Sequence, residues 1–209
     1  MSSNTPVGDF VAGLASSAPT PGGGAASALV GALAAALAAM MGQLTIGRAR
    51  FRDVEAPIQD MLGQLTALRA ELLRLMDEDA AAYGEVARAY ALPRASDDDR
   101  ASRDSAIQAA LRQAMEPPRR VARCSVDTMR VAARLAAIGN PNVISDVGCA
   151  AVLGEATVRC ANLNVLANVV LIHDRAAGAE ARAEAAALEG QVAQLLAQVM
   201  TVVRARLGA

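Results

Sequence analysis

The most constraining feature of this chain is a long stretch without charge. No Asp, Glu or Arg occurs between Asp9 and Arg48, and Ala25 to Met41 within it is almost wholly apolar. A segment of this kind either crosses a membrane or lies buried among other helices. Its composition decides the matter. The stretch is mostly Ala and Gly, with Leu29, Val30, Leu33 and Leu37 as its main large side chains. Ala transfers little apolar area, so the segment gains much less from lipid than a Leu-rich span of about 20 residues. No positive region precedes it, as a signal peptide would require. The expectation is a helix buried on all sides in a soluble bundle, with small residues admitting close neighbours.

The rest of the chain agrees. Nothing reads as a strand, because no alternating β-branched run is bounded by turn residues. Helical spacing is continuous instead. The pattern predicts helices from about Thr5 to Ser16 and from Ala25 to Ile46, the latter closed by Gly47. Asp53 to Tyr90 carries Ile58, Met61, Leu62, Leu65, Leu68, Leu72, Leu75 and Met76 on one stripe. Ser96 followed by Asp97, Asp98 and Asp99 marks the next start, with the signature of a capping box. Pro117-Pro118 should kink or break that helix, which resumes to Ile138. A second central helix is expected over Val143 to Ile172 and an amphipathic one over Ala176 to Leu207. No linker interrupts the chain, so residues 1–209 read as one all-α domain. Its long helices and Ala-rich faces predict a homodimer.

Composition excludes several kinds of chemistry. All 20 basic residues are Arg, so lysine Schiff bases and P-loop lysines are absent. One His cannot build a His-rich metal site, and no metal is expected. Two Phe, two Tyr and no Trp give no stacking platform for single strands. A net charge of −1 offers no footprint for nucleic acid. Three cysteines without a C-x-x-C pair read as buried, reduced thiols, and the location as cytoplasmic.

Three places carry polar groups where the pattern demands apolar ones. Pro19-Thr-Pro21-Gly22-Gly23-Gly24-Ala-Ala-Ser27 opens the buried helix. Its glycines leave backbone N–H groups unobstructed for an anion or a carbonyl oxygen, or serve close packing; the spacing leaves both open. Ser145 and Asp146 stand in the first turn of the second central helix, as caps or facing a cavity. Asn164 and Asn168 share a face at i, i+4, and Asp146 lies 18 residues before Asn164, five turns away on the same side. Such a polar stripe needs partners, from the protein or from a ligand. Asp79 and Tyr83, an i, i+4 pair on the long helix, read as surface decoration. The lone His173, before Asp174, reads as a cap or surface group.

Four blocks together carry a resemblance: Leu14 to Ser27, Leu44-Thr45-Ile-Gly-Arg48, Asn142-Val-Ile-Ser-Asp146, and Asn164-Val165 through Asn168. In order and spacing the chain resembles the cyclodeaminase/cyclohydrolase family, most closely the stand-alone bacterial methenyltetrahydrofolate cyclohydrolases. The resemblance implies an all-α homodimer that holds a tetrahydrofolate derivative, or a related pterin, as substrate and needs no further cofactor, nucleic acid or membrane. Carried over by position, it implies that Pro21, Gly22, Gly23, Gly24, Ser27, Thr45, Arg48 and Ser145 contact the substrate. Asp146 would act as base and cation stabiliser, with Asn164 and Asn168 beside it. Relatives commonly carry a lysine pair after the Leu-Thr block. Here Arg48 and Arg50 stand there; they can grip a carboxylate bidentately but cannot donate a proton. Hydrolysis of methenyltetrahydrofolate, cyclodeaminase chemistry and a non-catalytic folate-binding dimer are the resulting alternatives.

Overall fold

The computed structural model describes residues 3–208, and the described chain is all-α. Its helices are α1 (Val7–Leu14), α2 (Gly23–Gln43), α3 (Glu55–Tyr90), α4 (Asp97–Ala114), α5 (Glu116–Ile138), α6 (Ile144–Val169) and α7 (Arg175–Leu207). Two short 3-10 turns, Ala49–Val54 and Pro141–Val143, join α2 to α3 and α5 to α6.

Local chemistry sets the ends. Ser96 accepts a hydrogen bond from the Asp99 N–H while the Asp99 carboxylate accepts one from the Ser96 N–H, so both halves of the capping box form. The expected break at the proline pair falls between Ala114 and Glu116, which places Pro117 and Pro118 in the first turn of α5, where their missing N–H groups cost nothing. Gly47, at φ +72°, turns the chain after α2 in a conformation that a side chain would oppose. Asp174 caps α7 by accepting from the Ala176 and Ala177 N–H groups.

Helices α2, α3, α5 and α6 pack around the core. Met41, Ile58, Met61, Leu65, Leu72, Leu75, Met129 and Leu135 are fully buried in it. Small residues bring the helices together. A Cβ on Gly31 would stand 3.1 Å from Leu72, Ser125 and Thr157, which belong to α3, α5 and α6. Charge ties the outside: Arg119 of α5 meets Glu184 of α7 at 2.6 Å, and Arg120 of α5 pairs with Glu71 and Glu78 of α3. Helices α2 and α6 run antiparallel, since Gly23 faces Asn164 at one end and Gly31 faces Thr157 further along.

Two expectations change. Helix α2 is not buried on all sides: Leu33 is 50% exposed and Met40 46%. Neighbours α3, α5 and α6 cover only its inner sides. Helices α2 and α7 are each long and apolar enough to cross a membrane by length and hydropathy alone, although over half of the most apolar window of α2 lies inside the fold. Likewise Cys149 and Cys160 are exposed rather than buried, because they lie on the outward face of α6; Cys124 alone is partly buried, and burial pushes its thiol up to about 11.

Candidate active site

At one end of the α2–α6 pair, the Gly-rich loop, the second half of α3, the end of α4 and the end of α6 enclose a cavity of about 720 Å³. That volume suits a small organic ligand. Its walls are Pro19, Thr20 and Gly22 to Gly24 from the loop and the start of α2, Asp79, Tyr83, Val86 and Tyr90 from α3, Leu111 and Ala114 from α4, and Asn164, Asn168 and Leu171 from α6 and its exit.

The loop builds the floor. Helix α2 begins at Gly23 with no side-chain cap, so its first N–H groups point outward from the loop. One of them finds a partner: the Ala25 N–H donates to the Asp79 carboxylate. Gly24 makes this approach possible, since a Cβ there would fall inside that carboxylate. Asp79 therefore sits against a helix N-terminus from outside the helix, where the dipole favours negative charge. Burial nevertheless dominates and raises its pKa above the ordinary value, with the Ala25 N–H pulling in the opposite direction. Among the lining residues Asp79 is the only charged one.

Asn164 and Asn168 face Asp79 from α6. Each uses its amide nitrogen locally: Asn164 donates to the Cys160 carbonyl at 2.8 Å, and Asn168 donates to the Asn164 carbonyl at 3.0 Å. Their side-chain carbonyls are left for a ligand. A Cβ on Gly23 would sit 3.4 Å from the Asn164 amide, so glycine there keeps the two walls close. Asn162, two residues earlier, points instead into the bundle and bonds the Ala185 carbonyl and Glu189.

Thus Gly22, Gly23, Gly24, Asn164 and Asn168 come together, and the other expected residues do not join them within one chain. Pro21 is buried below the loop rather than in the cavity wall. Ser27 is buried and donates to the Gly24 carbonyl at 2.8 Å, which closes the first turn of α2. Thr45 is fully buried; it donates to the Met41 carbonyl at 2.6 Å and accepts the Asn140 N–H at 2.9 Å. Arg48, Ser145 and Asp146 stand at the far end of the bundle. Sharing a helix face did not mean sharing a site, because 18 residues of α-helix separate Asp146 from Asn164 by about 27 Å. His173 is exposed, 3.7 Å from Asp104, and lies outside the cavity.

Asp79 was the misread member of its pair; Tyr83 is 46% exposed, as a surface residue should be, and also lines the cavity. The signal was present: Leu72, Leu75 and Met76 continue at helical spacing to Asp79, so the carboxylate occupies a core position of the α3 stripe. A charge in such a stripe needs a partner or a ligand.

The formiminotransferase-cyclodeaminase family model matches residues 6–187. A methenyltetrahydrofolate cyclohydrolase of Methylorubrum extorquens is 40% identical over 194 residues, 93% of this chain and 92% of its own. The mouse formimidoyltransferase-cyclodeaminase is 35% identical over 166 residues, which cover 79% of this chain but 31% of that longer enzyme. The crystal structure of a formiminotetrahydrofolate cyclodeaminase from Thermotoga maritima superposes with a TM-score of 0.87 at 29% identity, covering 97% of both chains.

Proposed function

The chain belongs to the formiminotransferase-cyclodeaminase family, and on that premise we propose that it hydrolyses 5,10-methenyltetrahydrofolate to 10-formyltetrahydrofolate. The observation that carries this reading is the half-buried Asp79 carboxylate, the one charged group among the cavity's lining residues. The substrate is an amidinium cation whose one carbon bridges two folate nitrogens. A cavity lined by one charged group, Asp79, suits a delocalised cation.

In the proposed reaction water adds to the bridging carbon, and Asp79 accepts a proton from it. Its raised pKa makes Asp79 a better base than an exposed carboxylate. The carbon–nitrogen bond to the N5 position then breaks, the proton passes to that nitrogen, and the one carbon leaves as a formyl group on N10. The net change is consumption of the cation and one water with release of one proton. Asn164 and Asn168 present carbonyl oxygens that orient the water and the pterin N–H groups, and Tyr83 and Tyr90 add aromatic surface to the cavity wall. Free N–H groups at the start of α2 hold the oxygen as charge develops on it.

The fold supports cyclodeaminase chemistry as a second reading, through the likeness to the Thermotoga enzyme. There N10 attacks a formimino carbon and ammonia leaves, so the same cavity holds the same cation as product. The deciding experiment follows the absorbance of methenyltetrahydrofolate, whose enzyme-dependent loss marks the hydrolase. Ammonia release from formiminotetrahydrofolate marks the cyclodeaminase. Neither signal, with folate still bound, would leave a binding protein.

We also propose a homodimer formed through the outward faces of α2 and α6. Leu33, Met40, Val152 and Leu163 are exposed there without a partner in the chain. The unpaired thiols Cys149 and Cys160 on that face suit a reducing compartment, and the cytoplasm is the proposed location.

A further inference from the structure

We infer that Gln108 is a positioning residue for the reaction: from α4 it fixes the exit of α6, and with it the register of Asn168 in the cavity wall. The inference rests on the folate site proposed above.

It starts from how α6 ends. Asn168 is the penultimate residue of that helix, in the turn where backbone carbonyls run out of partners and fraying begins. The usual closing devices are missing. The positive-φ residues among those described are Gly47 and Gly208, so no left-handed cap closes α6. Its last turn carries no basic side chain, and Val170 stays in the helical region at φ −64°. Two N–H groups fold back onto the helix: Val170 donates to the Leu166 carbonyl at 3.2 Å and Leu171 to the Asn168 carbonyl at 2.9 Å. The hold that keeps the chain turned this way comes from outside α6.

Gln108 supplies it. Its Nε2 donates to the Leu171 carbonyl at 3.1 Å, and its Oε1 accepts the His173 N–H at 2.7 Å. Those two backbone groups flank Ile172, so one planar amide grips the chain on both sides of a single residue. Glutamine suits the task because it carries a donor and an acceptor side by side, whereas an ionised carboxylate only accepts. The gripped residue is seated as well. Partly buried, Ile172 packs against the cluster of Ile107, Ala110 and Leu111 and against that of Met115 and Val169. A second tie, His173 to Asp104 at 3.7 Å, lies one turn earlier on α4. Both of its side chains are more than half exposed, where such pairs add little.

From Gln108 the hydrogen bonds run inward without a break. Leu171, held by its carbonyl, gives its N–H to the Asn168 carbonyl. The Asn168 side chain donates to the Asn164 carbonyl, and the Asn164 side chain to the Cys160 carbonyl. Leu171, Asn168 and Asn164 line the cavity and Gln108 does not, so Gln108 reaches a ligand only through the wall it holds.

A double-mutant cycle tests this. Gln108→Met keeps the length and the helix propensity of the side chain and removes both bonds. For methenyltetrahydrofolate, kcat/KM should fall about tenfold, chiefly through a rise in KM. In an Asn168→Ala background the same replacement should cost less than about threefold, because effects that pass through one another do not add. Unchanged kcat/KM in Gln108→Met, or equal losses in the two backgrounds, would overturn the role; a general loss of stability would move both alike. Hydrogen exchange gives a readout that does not depend on turnover. The Leu171 and His173 N–H groups should exchange about tenfold faster in Gln108→Met, with the central helices unaffected. Unaltered exchange there would overturn the hold on α6. Absence of turnover of both methenyltetrahydrofolate and formiminotetrahydrofolate in the unmutated protein would count against the proposed reaction, and the exchange result would then judge the hold on α6 by itself.

Discussion

Gly24 and Asp79 are packed so closely that a methyl group on the first would occupy the carboxylate of the second. Gly24→Ala must therefore swing Asp79 off the Ala25 N–H and out of line with the bound carbon. A misplacement of that size costs about 100-fold in rate. The expected outcome is a loss of that order in kcat, with helical content by circular dichroism unchanged. Unaltered kcat would separate Asp79 from the reaction.

Asp79→Asn should remove turnover by a factor of about 10² to 10⁴, the range for losing a general base. The same change should raise stability at neutral pH. Burial lifts the pKa of Asp79 in the folded chain above its unfolded value, so the stability it contributes is fully present below the unfolded pKa and is lost as pH rises through the folded pKa. Once ionised, Asp79 is a poorly solvated anion in the folded chain, which asparagine is not, while the amide oxygen can still accept the Ala25 N–H. Thermal melts at pH 7 should favour the variant, and the advantage should shrink at pH 4.

The pH profile of kcat/KM for the unmutated chain should show an acid limb above the ordinary aspartate range. Asp79 must be ionised to accept a proton, and its raised pKa moves that requirement upward. A limb at or below the usual aspartate value would assign the base elsewhere.

Ser125→Ala should stabilise the fold. The Ser125 hydroxyl is buried beside Gly31 and has no hydrogen-bond partner among the described residues. Removing an unsatisfied buried hydroxyl gains about 1 kcal/mol, or about 2–4 °C in Tm for a chain of this length. A fall in Tm would mean that the hydroxyl is satisfied by a water.

Asn140→Ala should do the reverse. Its side chain donates to the Leu44 carbonyl at 3.0 Å and accepts from Arg50 and from the Asn142 N–H, both at 3.1 Å. Loss of the buried bond and the cap should cost about 2 kcal/mol in urea denaturation, at about 1 kcal/mol per hydrogen bond. Turnover at saturating substrate should survive if the cavity at the other end keeps its shape.

The helices were legible because their signals are local. Ser96 with its aspartates, the proline pair, and the stripe from Ile58 to Met76 each specify structure within a few residues. The Gly-rich loop and the asparagine pair were legible as a candidate site because polar groups interrupt apolar helices there, and they line one cavity. What failed was distance. Asp146 and Asn164 share a helix face by angular arithmetic, but periodicity does not say that five turns of rise lie between them. Asp79 failed for the opposite reason. Its partner, the N–H of Ala25, lies 54 positions away in the chain, and only the packing of α3 on α2 unites them. Ser27 and Thr45 were named as ligand contacts through the resemblance alone; in the fold both hydroxyls donate to backbone carbonyls.

The placement of α2 also bears on how the chain is made. Helix α6 begins at Ile144, 101 positions after α2 ends at Gln43. At ribosomal rates that is about 5–20 s of synthesis. Through that interval an alanine-rich helix without a single charge emerges with α3 as its first covering, and the faces that later meet α5 and α6 stay bare. A nascent chain of this design asks for shelter early, and it can release that shelter only when α6 arrives.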